Sequence, residues 1–258
     1  MRVEITDEMK QRTIVRRWAE CDRQAVLHFC KLHTDWAGWF EEGVLEAAAR
    51  QGVSEARRWG ADTTGGILDY LTLVYMMGHQ FTKDPQYQSW VGPWLKHTGE
   101  TGERLKTEHL IREALELIPE FYPSVQQWLK ALDVAETFVH PSAEYKRRMT
   151  EAEATDATLA LLQSAWPARI AHLGEEELSA QMQTLNPILG RLGCKTPKLF
   201  AVGALLSLRF GIGFLQDPKY PRFGEIAESR ELEGHEKVKS IMQIAREFAL
   251  YPERMSSL

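Results

Sequence analysis

The segment Gly78–Tyr87, GHQFTKDPQY, sets His79 and Asp84 in one short polar stretch. An imidazole and a carboxylate so placed could share a proton as general acid and base, or hold a metal ion. Asp69, on the preceding helix, is a further acid for such a site. A second cluster, Cys21, His28, Cys30 and His33, carries sulfur and imidazole ligands of the kind zinc takes. On one helix Cys30 and His33 share a face, but Cys21 and His28 lie seven apart and Cys30 falls on another side. A tetrahedral site needs side chains that converge, and no C-x2-C pair occurs, so ordinary buried cysteines and boundary histidines are the better reading. Nucleophile elbow, Walker A loop, HExxH and dinucleotide fingerprint are all missing, and Gly211-Ile212-Gly213 follows a helix rather than a strand. Paired acids such as Glu41-Glu42 and Glu175-Glu176-Glu177 fall in first turns of helices, where the helix dipole favours them.

An internal repeat weighs against chemistry in the GHQFTKDPQY loop. Shifted by 133 residues, positions 42–120 lie over 175–253 without a gap, and 19 of 79 pairs are identical. Gly78, Phe81, Asp84, Pro85 and Tyr87 recur as Gly211, Phe214, Asp217, Pro218 and Tyr220, whereas His79 becomes Ile212. Residues kept in both copies read as framework. Glycine ends a helix, phenylalanine plugs the core, and aspartate accepts backbone N–H bonds in a turn stiffened by proline. No catalytic residue, cofactor or metal site is assigned.

The elements that must carry these residues are helical. Asp7 caps a first helix to about Leu32, with Ile14, Trp18, Ala25 and Phe29 on one side. Thr34 or Asp35 caps a second, faced by Phe40, Val44, Leu45 and Ala48 and closed by Gly60. Thr63 or Thr64 starts a third, Ile67–Met77, apolar nearly all round and therefore central in a bundle. Gly78 closes it, and Pro85 denies Asp84 a comfortable α conformation, so the chain turns there. A fourth helix runs from Glu103 to Ile118.

The second copy repeats this grammar in Glu175–Leu192, Lys198–Phe210, the Gly211–Tyr220 loop and a final helix with Val238, Ile241, Met242, Ala245, Phe248 and Ala249 along one stripe. Its first helix is Asp156–Leu173, interrupted at Trp166-Pro167. Between the copies, Ser124–Phe138 has helical spacing and is expected to pack on the modules. The expected architecture is all-α, built of two tandem-duplicated helical-bundle modules. Residues 1–120 form module 1, residues 121–153 a helical spacer, and residues 154–258 module 2.

Composition limits the partners. The formal charge of −5 is spread over interspersed acids and bases, which gives nucleic-acid binding no electrostatic support. Three cysteines without framework spacing fit a reducing cytoplasm. The N-terminus MRVEITDEMKQR lacks the apolar core of a signal peptide. Leu199–Leu215 is short for a membrane span and carries Arg209, so no membrane insertion is expected.

Six of eight tryptophans fall in the first copy. Trp59 and Trp90 stand opposite Leu192 and Phe223, which reads as core, whereas Trp36, Trp39 and Trp94 stand opposite Arg169, His172 and Ala227. Aromatics that only one copy has are candidates for a partner surface, because aromatic anchors dominate binding hot spots.

Residues 40–95 carry an A-R-x-W-G segment at Ala56–Gly60, a polar cap at Thr63–Thr64 and an apolar helix at Ile67–Met77. Then comes G-x-x-F-T-x-D-P followed by tryptophan, across Gly78–Trp90. This stretch resembles a family of helical bacterial proteins encoded in type VI secretion clusters, near a Tap-type adaptor and its effector. Met77 stands where that family usually has leucine, and Thr82 where it usually has aspartate.

The resemblance implies a cytoplasmic accessory protein, a co-chaperone helping an adaptor load a toxic effector, and it carries over no catalytic residues. Such clusters also encode immunity proteins, which leaves toxin neutralisation as an alternative reading. A helical enzyme using His79 with Asp84 or Asp69 is the third. The expected partner is a protein, adaptor or effector, and the oligomeric state stays open.

Overall fold

Local sequence chemistry writes most of the helix boundaries. The computed structural model describes residues 6–36, 38–61, 63–96, 103–121, 123–139 and 150–255. Among the described residues there are eleven α-helices and four 3-10 turns, and no strand. The chain is all-α. In order, the helices are α1 (Asp7–Leu32), α2 (Val44–Arg58), α3 (Thr64–Met77), α4 (Gln88–Lys96), α5 (Glu103–Phe121), α6 (Val125–Glu136), α7 (Glu151–Ala165), α8 (Pro167–Leu192), α9 (Pro197–Phe210), α10 (Pro221–Glu228) and α11 (Gly234–Met255).

Caps explain several starts. Thr63 Oγ1 accepts from the Gly66 N–H at 3.1 Å, and Thr196 Oγ1 accepts from the Leu199 N–H at 3.2 Å. Ser124 with Gln127, and Thr150 with Glu153, form reciprocal capping boxes at α6 and α7. α2 begins later than its apolar spacing implies. Thr34–Trp36 closes a 3-10 turn, and Gly43 at φ 81° brings the chain into the helix only at Val44. The break at Trp166-Pro167 falls where proline demands it, and α8 then kinks at Gly174, whose φ of 60° and ψ of 165° no helix tolerates.

Elements recur in the register of the sequence repeat. α1 and α7 end 133 residues apart, as do α3 and α9, and the 3-10 turns Phe81–Lys83 and Phe214–Gln216 keep the same spacing. α3 and α9 are the central helices: α1, α2 and α5 pack on α3, while α7, α8 and α11 pack on α9. α9 buries every residue except Pro197, Lys198 and Arg209. Each large apolar side chain it removes from water contributes roughly 1.5–3 kcal/mol.

Two apolar cores result, one drawn from α1–α5 and the other from α6–α11. α6, the spacer helix, packs against α7 and α11 and gives Trp128, Ala131, Leu132 and Ala135 to the second core. Residues 140–149 of the spacer lie outside the described residues. No helix among the described residues is long and apolar enough to cross a membrane.

Candidate functional site

The two GxxFxxDPxY loops meet at the centre of the molecule. Gly78 and Gly211 end α3 and α9 with nearly the same backbone angles, φ 83° and ψ 166° against φ 86° and ψ 161°. That region is open essentially to glycine alone. The two turns also lie back to back. A Cβ on Gly78 would come within 2.6 Å of the Phe210 carbonyl oxygen, and one on Gly211 within 2.9 Å of the Met77 carbonyl oxygen.

The repeated aspartates then exchange hydrogen bonds across this contact. Asp84 accepts from the Gln86 N–H of its own turn at 3.1 Å and from the Ile212 N–H of the other loop at 2.8 Å. Asp217 accepts from the Lys219 N–H at 2.9 Å and reciprocally from the His79 N–H at 3.3 Å. Each carboxylate therefore stiffens its own turn and also binds the residue that follows the opposite glycine. The donors are backbone groups, so His79 can stand opposite Ile212 in the repeat without loss of the bond.

The other retained residues fill in around this junction. Phe81 and Phe214 are fully buried, Phe81 beside Tyr70 and Phe214 beside Phe223. Tyr87 packs on Trp90 and Tyr220 stacks on Phe223, while Pro85 is buried and Pro218 half-buried. The turn Pro85–Tyr87 also packs on α8 of the other half.

Around this common frame lies an unshared row of charge. His79 Nδ1 approaches Glu55 Oε2 at 3.4 Å, and His79 Nε2 lies 4.0 Å from Asp217 Oδ1. Lys219 Nζ sits 3.8 Å from Asp217 Oδ2. In the repeat register Glu55, His79 and Lys219 stand opposite Ile188, Ile212 and Gln86, so Asp217 has charged neighbours at positions where Asp84 has none. Burial weighs against ionised Glu55, yet hydrogen bonds from His79 and Gln51 hold its carboxyl below the ordinary value. Burial pulls the Lys219 ammonium down, against the attraction of Asp217. The row sets a buried imidazole between two carboxylates, and His79 Nε2 makes no hydrogen bond among the described residues. His79 is only 1% exposed and Lys219 4%, which leaves Glu55 as its most accessible member.

The remaining candidates from the sequence fall elsewhere. His79 meets Glu55 and Asp217 rather than Asp84, whose partners are Gln86 and Ile212. Asp69 accepts from Thr107 on α5 at 3.0 Å. His28 bonds Thr72 at 2.9 Å, and His33 donates from Nδ1 to the Phe29 carbonyl at 2.9 Å. Cys21 is buried and Cys30 half-buried. Among the described residues no group of three His, Cys, Asp or Glu side chains could hold a metal ion.

Trp36 stacks on Phe248 at 5.6 Å, and Trp39 meets Phe248 and Tyr251 edge-on, so both tie the α1–α2 connection to α11. Trp94 stacks on His109 at 4.8 Å and donates to Glu113 at 3.1 Å. All three are half-buried, each with at least one ring contact inside the chain.

A different surface stands open on α1. Its apolar side is buried from Cys21 onward through Ala25 and Phe29. Towards the N-terminus residues 11–17 are all exposed, including Ile14 at 44% and Val15 at 64%. Trp18 is half-buried beneath the Arg57 guanidinium, 4.3 Å from its ring centre, and Arg57 is held in turn by Asp22 at 2.6 Å. The overhang and the start of α3 at Thr63 and Thr64 bound an open cleft of about 700 Å³. The sequence signal for it was the apolar stripe itself, one turn longer than the body that covers it. No protein-family profile, curated protein sequence or solved structure matches this chain.

Proposed function

We propose that the protein is a non-catalytic binding scaffold, an accessory factor that helps an adaptor hold or load a type VI secretion effector. The observation that carries the binding role is the overhang of α1, a core-type apolar stripe that leaves its own body and exposes Ile14 and Val15. Apolar helix faces of that kind are the usual material of helix-in-groove recognition. The interlocked loops support the reading from the other side. They consume the repeat's glycines and aspartates in joining the halves, and so present the overhang from a stiff base. The type VI setting rests on the resemblance of residues 40–95.

The test is co-expression of the tagged protein with the adaptor and effector encoded beside it. Co-purification of a complex that weakens on Ile14→Asp is the expected result. Absence of any complex with either protein removes the proposal. Rescue of toxin-producing cells by this chain alone, without the adaptor, would replace it with the immunity reading.

A further inference from the structure

We propose that the overhang of α1 and the start of α3 form a seat for an acidic amphipathic helix of a partner protein. This rests on the scaffold reading above and names the chemistry of what the scaffold holds. Ile14 and Trp18 continue the stripe that Cys21, Ala25 and Phe29 bury in the core, so the seat has a floor of core character. The fully exposed residues 11–17 make about two turns, well under the length at which an isolated helix holds in water. A helix laid against it would cover the apolar floor and steady the overhang.

Charge selects the occupant. Arg12 is paired with Glu8 at 2.7 Å, whereas Arg16 and Arg17 are exposed, line the cleft and make no ion pair among the described residues. The opposite wall is the N-terminus of α3. There Thr63 satisfies the Gly66 N–H, and the exposed Thr64 and Gly65 add the positive end of the helix dipole. Glu20 also lines the cleft but is paired with Arg23 at 2.6 Å, so the unpaired charge there is positive, on a chain whose net charge is −5. A second copy docking α1 against α1 would set arginines against arginines. A lipid surface is the poorer fit because Trp18, the side chain suited to insert, already lies under Arg57. An acidic helix with one apolar face meets both the floor and the walls.

The experiment uses the full chain and two labelled amphipathic peptides. Both have leucines on one face, with glutamates on the other face in the first and lysines in the second. Fluorescence anisotropy should show the glutamate peptide binding at least about tenfold tighter, with the preference shrinking as salt rises. Arg16→Glu with Arg17→Glu should reverse the preference, and Ile14→Asp should weaken both peptides, each variant keeping the wild-type circular dichroism and melting temperature.

Equal binding of the two peptides, or a preference untouched by charge reversal, overturns the proposal. So does tighter binding to phosphatidylserine vesicles than to either peptide, or a dimer in sedimentation that Ile14→Asp abolishes. An adaptor or effector complex that survives the double arginine reversal refutes the seat and leaves the scaffold standing. Glutamate-peptide binding without any such complex does the opposite.

Discussion

Replacing Asp84 with alanine should loosen both halves of the protein at once. Asp84 is fully buried and accepts from the Gln86 N–H, the Gln86 side-chain amide and the Ile212 N–H, at 3.1, 2.9 and 2.8 Å. Alanine removes the acceptor that two backbone donors and one side-chain amide use in a buried junction. Each buried donor so orphaned costs about 1–3 kcal/mol, and removal of a buried carboxylate returns part of that as relieved desolvation. The net loss should be about 3 kcal/mol, which lowers the melting temperature by about 10 °C in a chain of this size.

Urea titration followed by circular dichroism at 222 nm measures the loss, and Asp217→Ala should cost a comparable amount. Both aspartates clamp one junction, so the double variant should lose at least about 1 kcal/mol less than the two single losses added together. A loss under about 1 kcal/mol from Asp84→Ala refutes the reasoning. Strict additivity refutes it too, as do two separate unfolding transitions of which only one shifts.

Three further outcomes follow from the same geometry. Gly78→Ala and Gly211→Ala should each destabilise by more than about 2 kcal/mol, because a Cβ meets the opposing carbonyl in a backbone region that already excludes it. Urea midpoints unchanged from wild type would contradict this. His33 is pushed down to about 4 by burial and then by the nearby Lys219 charge, with its bond to the Phe29 carbonyl and Asp217 pulling the other way. Its unfolded form takes up a proton below the usual 6.5 while the folded form stays neutral, so its contribution is whole above that pH and lost by about pH 4. The cost is roughly 3 kcal/mol, and His33→Gln should flatten the stability profile over that window by a comparable amount. Finally, the combined change Glu55→Ile, His79→Ile and Lys219→Gln copies onto Asp217 the neighbours that Asp84 has and should hold stability within about 1 kcal/mol of wild type or raise it. A collapse of the fold on urea titration would show that the charge row is part of the frame.

The helices were legible because their causes are local. Thr63 and Thr196 cap the turns that follow them, Gly78 and Gly211 terminate the helices before them, and the apolar run of α9 allows only a central position. α4 was not foreseen: it is nine residues long, carries Pro93 inside and Gly92 beside it, and so has little periodicity to read. The start of α2 moved for a related reason. Apolar spacing around Phe40 and Val44 continues through Gly43, and only the backbone shows that the helix begins after it.

For the candidate site, sequence alone picked out the glycines, aromatics, aspartates and prolines common to both loops. It also assigned the aspartates to turns, since Asp84 to Gln86 and Asp217 to Lys219 are contacts over two residues. Tertiary structure decided that each aspartate spends a further lone pair on the opposite loop, that His79 lies with Glu55 and Asp217, and that Trp36 and Trp39 reach α11. It alone decided that α1 outruns the body beneath it. Hydrogen bonds within a turn or helix are dictated by neighbours in the chain. A contact between residues 84 and 212 depends on how two finished bundles come to rest against each other, and no spacing along the sequence encodes that.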